Sequence, residues 1–307
     1  MLNLDQLRIG FIGSGRLGKA LAWHCHSRGL SIVAAASYHI SEAQELAQRV
    51  PGCRAIEAQE VADSCELIFV TTPDGVIRPT AESLQWRAGS FVVHCSGATE
   101  VSDLAHAAAG GASIGGFHPL QTFGDPEVAA QSLPGCTITV EAEDPLDGVL
   151  VALTARLGCA VNRLPPGTRP LYHAAAGYSS QFLNALLREV SLMWQSWGAN
   201  EAAAVQAMMP LFRGTLAAIE KVGLAQGMPG PVSRGDVGSV RKHVQAIEAF
   251  NAQSVGLYRE LCERTVLLAL DGRRIDAETA AQVRAVLADG GKPDNLSGSA
   301  GEFCLAR

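Results

Sequence analysis

Lysine is scarce in this chain. Of its 24 basic residues only Lys19, Lys221, Lys242 and Lys292 are lysines. Against 30 acidic residues this leaves a formal charge of −6. Nucleic-acid binding needs clustered basic side chains to neutralise phosphates, so nucleic acid is not an expected partner. No uninterrupted apolar run reaches the roughly 18–20 residues of a spanning helix, so no membrane partner is expected either. The opening Met1-Leu2-Asn3-Leu4-Asp5-Gln6 lacks a basic stretch leading into an apolar one, as a secretory signal has. The 8 cysteines include no Cys-x-x-Cys. They read as free thiols in a reducing compartment, which makes the expected location cytoplasmic. His24-Cys25-His26 is too tight for zinc-ligand spacing, so no metal site is expected.

What is present is apolar material. Hydrophobic residues make up 48% of 307 positions, enough for a large core. A single core rarely grows past roughly 250–300 residues, so two domains are expected. The first half alternates apolar runs with helical stretches. Residues 8–12, 32–36, 66–70, 90–94, 112–117, 136–140 and 160–164 read as strands, with helices over 19–28, 41–50 and 147–157 among them. That alternation predicts an α/β domain with a mostly parallel sheet over residues 1–165. After Leu164-Pro165-Pro166-Gly167 the pattern becomes helical. An unbroken helix is expected over 171–197, then helices over 200–209, 210–222, 237–249, 252–270 and 277–288. The second domain is therefore all-α, 166–288, and 289–307 reads as a mobile Gly/Ser-rich tail.

The most informative short motif is Gly13-Ser14-Gly15-Arg16-Leu17-Gly18, between the first strand and the first helix. Gly13 permits a tight turn, Gly15 a close approach of backbone to a pyrophosphate, and Gly18 close helix–strand packing. The following helix start favours phosphate through its free amides and dipole. The end of the second strand, Ser37-Tyr38-His39-Ile40-Ser41, carries no acid before Glu42. A carboxylate there would bind a ribose 2′-hydroxyl, so its absence favours NADP over NAD. Ser37, His39, Ser41 and Arg16 are the candidate donors to a 2′-phosphate, although Ser41 also suits a helix cap.

Further candidates lie in loops at strand ends, where open parallel sheets bind ligands. Thr72 and Pro73 follow the 66–70 strand, Ser96 and Gly97 follow the 90–94 strand, and His118 closes the 112–117 strand ahead of a proline. His118 suits either a substrate contact or a structural hydrogen bond. In the helical half, His173, Ser180, Gln181 and Asn184 recur at spacings of one helix face if 171–197 is unbroken. His173, Ser180, Asn184 and His118 are thus catalytic candidates, and Gln181 a substrate contact. Arg234 could clamp a carboxylate or phosphate, or pair with Asp236 at a helix cap.

Several of these motifs occur together in one family. The glycine turn, Thr72-Pro73-Asp74, His94-Cys95-Ser96-Gly97-Ala98 and His118-Pro119-Leu120-Gln121-Thr122-Phe123 come first in the chain. Tyr172-His173-Ala174-Ala175-Ala176 and Gly230-Pro231-Val232-Ser233-Arg234-Gly235-Asp236 follow. The series resembles the Rossmann-like proteins with a C-terminal domain of unknown function 2520, relatives of 6-phosphogluconate dehydrogenase and pyrroline-5-carboxylate reductase. The resemblance implies a Rossmann-type dinucleotide domain followed by an all-α domain that forms homodimers. It also implies NADP oxidoreductase activity, and a cleft between the two domains is the expected place for the substrate. Two residues depart from that pattern. Ser180 stands where superfamily dehydrogenases place a lysine, and Tyr38 where related sequences carry an arginine.

The expected function is reduction or oxidation of a C=O/C–OH or C=N/C–N bond in a small, polar, anionic substrate. The missing lysine keeps a non-catalytic NADP-binding sensor or scaffold as the alternative. A methyltransferase using the same glycine turn would not predict a long helical domain after a complete sheet.

Overall fold

The computed structural model describes residues 4–165 and 167–289. The tail expected beyond Asp289 lies outside the described residues. By compactness the chain forms two units, Met1–Phe182 and Leu183–Arg307.

The first unit is built on one eight-stranded sheet. Its strands are β1 (Ile9–Ile12), β2 (Ile32–Ala36), β3 (Arg54–Ala55), β4 (Leu67–Val70), β5 (Phe91–His94), β6 (Ser113–Pro119), β7 (Thr137–Ala142) and β8 (Ala160–Arg163). The order is β3-β2-β1-β4-β5-β6-β7-β8, and only the β6–β7 pairing is antiparallel. The central strands are buried on both faces, which is why they read as continuous apolar runs. One face packs Phe11, Phe69, Phe117 and Leu150, and the other Ile12, Ile68, Val92 and Leu104. The chain winds outward from β1 in one direction and from β4 in the other. Their adjacent carboxyl ends form the switch point where such sheets open a crevice. β3, only two residues long, has no periodic signal and escaped the sequence reading.

The second unit is helical, with a core of Val240, Val244, Val266 and Val283. The helices Val237–Phe250, Ala252–Asp271 and Ala277–Ala288 agree with expectation within a residue at each end. Two expectations fail. The helix over 171–197 is interrupted: one helix spans Arg169–Ser179 and another Gln181–Gln195, with Ser180 leaving helical geometry at φ −127° and ψ −87°. Conversely, Pro210 does not divide its segment, and Glu201–Val222 is one helix with the proline inside it. Ala- and Leu-rich flanks on both sides sustain the helix across the missing N–H. Glu201–Val222 is also long and apolar enough, by length and composition alone, to cross a membrane. No uninterrupted apolar run marks it in the sequence, because its few polar residues break the run without lowering the mean hydropathy enough.

Candidate functional site

A cleft of about 1040 Å³ opens at the switch point. That is at the upper end of the roughly 300–1,000 Å³ typical of cofactor and small-molecule sites. Its floor is the glycine turn. Gly13 has φ +102°, and a Cβ there would lie 2.7 Å from the Thr72 nitrogen. Gly18 is equally constrained, since its Cβ would sit 2.3 Å from the Gly13 carbonyl oxygen. The Thr71 hydroxyl donates to the same carbonyl and ties the end of β4 to the turn. Gly15, in contrast, faces open space. It precedes the helix Arg16–Ser27, which has no side-chain cap and no acid in its first turn. Free amides, a positive dipole end and room for a ligand make this helix start suited to an anion such as a pyrophosphate.

Of the residues singled out for cofactor contact, Gly13, Ser14, Gly15, Arg16, Leu17, Ser37, His39, Thr72, Pro73 and Ser96 line this one cleft. Gly18 packs behind it and Gly97 lies beyond its lining. Two hydroxyls have structural employment. Ser14 is buried and donates to the Ala36 carbonyl at 3.1 Å. Ser37 donates to the Glu42 carboxylate at 2.7 Å. Ser37 is therefore not free to hold a 2′-phosphate, and Glu42 is part of the cleft wall after all. The helical turn beginning at Ile40 folds it back toward the strand end, a placement that spacing along the strand did not show. The Thr72 hydroxyl oxygen is buried at the cleft without a protein partner.

At Ser96 the cleft meets a cluster of aromatic and charged side chains. The Ser96 hydroxyl accepts from the Ala98 and Thr99 amides, which fixes the turn. Gly97 follows, and its missing side chain matters. A Cβ there would lie 2.8 Å from both His118 Nε2 and His173 Cδ2. His118 Nδ1 is 2.8 Å from the Tyr172 hydroxyl, and the two rings meet edge to face. His173 lies edge-on to His118 with centroids 6.3 Å apart.

Beneath them sits Arg169, 1% exposed at the start of its helix. Its Nε donates to Glu141 at 2.6 Å and its Nη1 to the Ser96 carbonyl at 2.9 Å. Its Nη2 would collide at 2.1 Å with any Cβ on Gly116, so β6 needs glycine there. His94, buried at the end of β5, accepts the Ser96 amide on Nδ1 and so keeps its proton on Nε2. Burial, Arg169 and His118 push the His94 pKa down to about 3. Burial, His173 and Arg169 push His118 down to about 4.

The first unit thus brings His118 and His173 together. Sequence reasoning left Arg169, Glu141 and His94 unassigned. Arg169 comes two residues after Gly167 of the Pro-Pro-Gly break, at the helix start, and that position was its one visible signal. Ser180, at the helix break, donates its hydroxyl to the Ala176 carbonyl. Because the helix breaks there, the expected single polar face running from His173 to Asn184 does not exist. Gln181 is exposed in the first unit, while Asn184 and Arg234 belong to the second. Arg234 is exposed, and Asp236 caps the next helix through the Ser239 amide.

The architecture is that of a Rossmann-type domain with its ligand cleft at the switch point, followed by a helical region. Residues 2–119 match the Rossmann-like domain, and residues 136–265 match the domain of unknown function DUF2520. The chain thus carries a Rossmann-like domain followed by a DUF2520 domain. No curated protein matches it by sequence. Among solved structures it resembles a Bacteroides fragilis protein provisionally classed as an NADP oxidoreductase. Identity is 22% with a TM-score of 0.67, over 86% of this chain and 99% of that one. It also resembles the Thermotoga maritima protein TM1727, at 23% identity and TM-score 0.70, again over 86% and 99%. A Plasmodium falciparum pyrroline carboxylate reductase with NADP bound matches 93% of this chain and 100% of its own, at 10% identity and TM-score 0.59.

Proposed function

We propose that the protein is an NADP-linked oxidoreductase acting on a C=O/C–OH or C=N/C–N bond of a small, polar, anionic substrate. The observation that carries this reading is the run of residues along one side of the sheet. It passes from the open helix start at Gly15, past Thr72 and Ser96, to Gly97 under His118 and His173. A bound nicotinamide would supply the hydride. The chain's own residues would hold the phosphates at Gly13–Leu17 and line the riboside with Thr72, Pro73 and Ser96. His118 would face the reacting heteroatom, with His173 beside it. Histidine suits such a place because it both donates and accepts near neutral pH.

Arg16 and His39 at the cleft wall, and the NADP bound by the Plasmodium enzyme of like fold, support NADP. Glu42 in the same wall favours a ribose hydroxyl, so NAD is the second cofactor to compare. Fluorescence titration with both reduced cofactors tests this, and tighter NADH binding would remove the NADP preference. Absorbance assays across keto acids, imino acids and aldehydes test the chemistry.

A second reading, a non-catalytic NADP-binding sensor, is favoured by the lysines. Lys19 is paired with Glu45 at 2.5 Å, and no lysine stands at the superfamily position, where the chain has Ser180. Cofactor binding with no turnover over the whole panel would select it. The same proposal keeps the cytoplasm as location, residues 166–288 as the helical domain, and homodimerisation through it. The Glu201–Val222 helix, with 6% of its apolar window buried, supports the dimer.

A further inference from the structure

We propose that His118 works as a neutral hydrogen-bond donor, presenting its Nε2–H above Gly97 to a carbonyl or imine heteroatom, and that Tyr172 is the positioning residue that sets this tautomer. The inference rests on the oxidoreductase reading for its acceptor, and on the geometry below for its tautomer.

Asn162, on β8, stands at the far end of a series of polar side chains that reaches His118. Its Nδ2 can only donate, and it donates to the Thr139 hydroxyl oxygen at 3.0 Å. Thr139 is fully buried on β7, so its own proton must find an acceptor inside the protein. Burial raises the Tyr172 pKa, and the Thr139 hydroxyl pulls it back down, as a donor to the phenol oxygen does. If Tyr172 oxygen accepts from Thr139, the phenolic proton is left for His118 Nδ1, 2.8 Å away. The chain of donors then runs Asn162, Thr139, Tyr172, His118, each pointing toward the cleft end. Nδ1 becomes an acceptor, and the single proton of a neutral imidazole sits on Nε2.

A second proton is disfavoured by the surroundings. The Arg169 guanidinium lies below, and His94 and His173 flank the ring. Glu141, the carboxylate of this cluster, is already held by Arg169 Nε. A neutral imidazole can stabilise charge developing on oxygen or nitrogen without surrendering its proton. The space it needs is kept clear, because Gly97 omits the one atom that would lie 2.8 Å from Nε2.

Two-bond ¹⁵N–¹H spectra of cofactor-free, [¹⁵N]histidine-labelled protein between pH 5.5 and 8 read the tautomer directly. His118→Gln identifies the His118 signals by their disappearance. In the wild type the expected pattern is a bare Nδ1 and a protonated Nε2 across the whole range. Tyr172→Phe should convert this to a mixture of tautomers and lower kcat, with cofactor Kd within twofold of wild type. Should that variant fail to fold, Thr139→Val removes the upstream donor and should give the same mixture. A protonated Nδ1 in the wild type overturns the proposal, as does an unchanged tautomer in the variants. Absence of turnover over the substrate panel, with the tautomer as expected, overturns the oxidoreductase reading and the carbonyl or imine acceptor. The tautomer set by Tyr172 would stand in that case.

Discussion

Each unit of this chain contains a histidine–tyrosine pair, and the two pairs are alike in kind. His118 Nδ1 lies 2.8 Å from the Tyr172 oxygen, and His243 Nδ1 lies 2.9 Å from the Tyr258 oxygen. Both pairs of rings meet edge to face, with centroids 5.4 and 6.0 Å apart. Their surroundings differ. His118 stands at the end of a buried strand, over a buried arginine and beside a glycine that leaves its Nε2 side open. His243 is exposed on the helix Val237–Phe250, and its tyrosine comes from the next helix. A His–Tyr hydrogen bond is therefore not a site by itself. Sheet topology, a buried charge and an empty volume distinguish the first pair from the second.

The largest difference should appear in turnover. His118→Gln is expected to lower kcat by roughly 10²–10³-fold, the usual loss of a preorganised hydrogen-bond donor facing developing charge. Cofactor Kd should stay within twofold. His243→Gln should leave kcat within twofold of wild type. Equal losses in steady-state assays would break the comparison. The same contrast extends to the arginines. Arg169 with Glu141 is a buried pair at 2.6 Å, whereas Arg259 with Glu248 spans 3.8 Å and is more exposed. Arg169→Met should cost about 3 kcal/mol in urea unfolding, the low end for breaking a buried pair because Glu141 is partly solvated. Arg259→Met should cost no more than about 1 kcal/mol.

Gly97→Ala probes the open volume. The added methyl would meet both His118 and His173, so kcat/KM should fall by about 10²-fold while cofactor affinity holds. Unchanged kcat/KM would mean that no substrate atom enters that space.

Acid should separate the pairs as well. His118 and His94 are held at about 4 and about 3 in the folded protein, and burial also lowers His24. Unfolding returns each to roughly 6.5, so the unfolded chain binds more protons below that pH. Stability then rises with pH through this window and is lost as pH falls from about 6.5 toward 4 for His118, and further for His94. The slope is up to about 1.4 kcal/mol per pH unit for each such histidine. Urea midpoints at pH 7 and pH 5.5 measure it, and His118→Gln should make the dependence shallower.

How far the sequence foretold all this depends on the distance over which each signal acts. The central strands were legible because burial on both faces writes continuous apolar runs such as Phe91-Val92-Val93. The glycine turn was legible because steric demands at Gly13 and Gly18 are local. The break at Ser180 was not, since the one glycine near it, Gly177, lies inside the helix Arg169–Ser179, and Pro210 marks a break that does not occur. His118 stood out at a strand end before a proline. Its neighbours did not, because Arg169 meets Glu141 across 28 residues and Ser96 across 73. Glu42 lies five residues beyond Ser37 along the chain, but a helical turn carries it back to Ser37.

The smallest expected effect tests the weaker pair directly. Tyr258 is half-buried, and burial raises its pKa, so its ring is part of the second unit's packing. Its hydroxyl, however, bonds to a histidine that water also reaches, and its other polar neighbour is only the weakly bonding thiol of Cys262. Tyr258→Phe keeps the ring and removes only the hydroxyl. When the partner left behind is solvated, water replaces the lost bond, and the net cost is about 0.5–1 kcal/mol or less. Turnover and the His118 tautomer should be unchanged. Tyr172→Phe makes the same chemical change where Thr139 is fully buried and His118 is flanked by Arg169. There the loss cannot be replaced as cheaply, so the destabilisation should exceed that of Tyr258→Phe and be accompanied by a tautomer change. If urea unfolding gave both substitutions the same cost, the environment argued for His118 would not differ from that of His243.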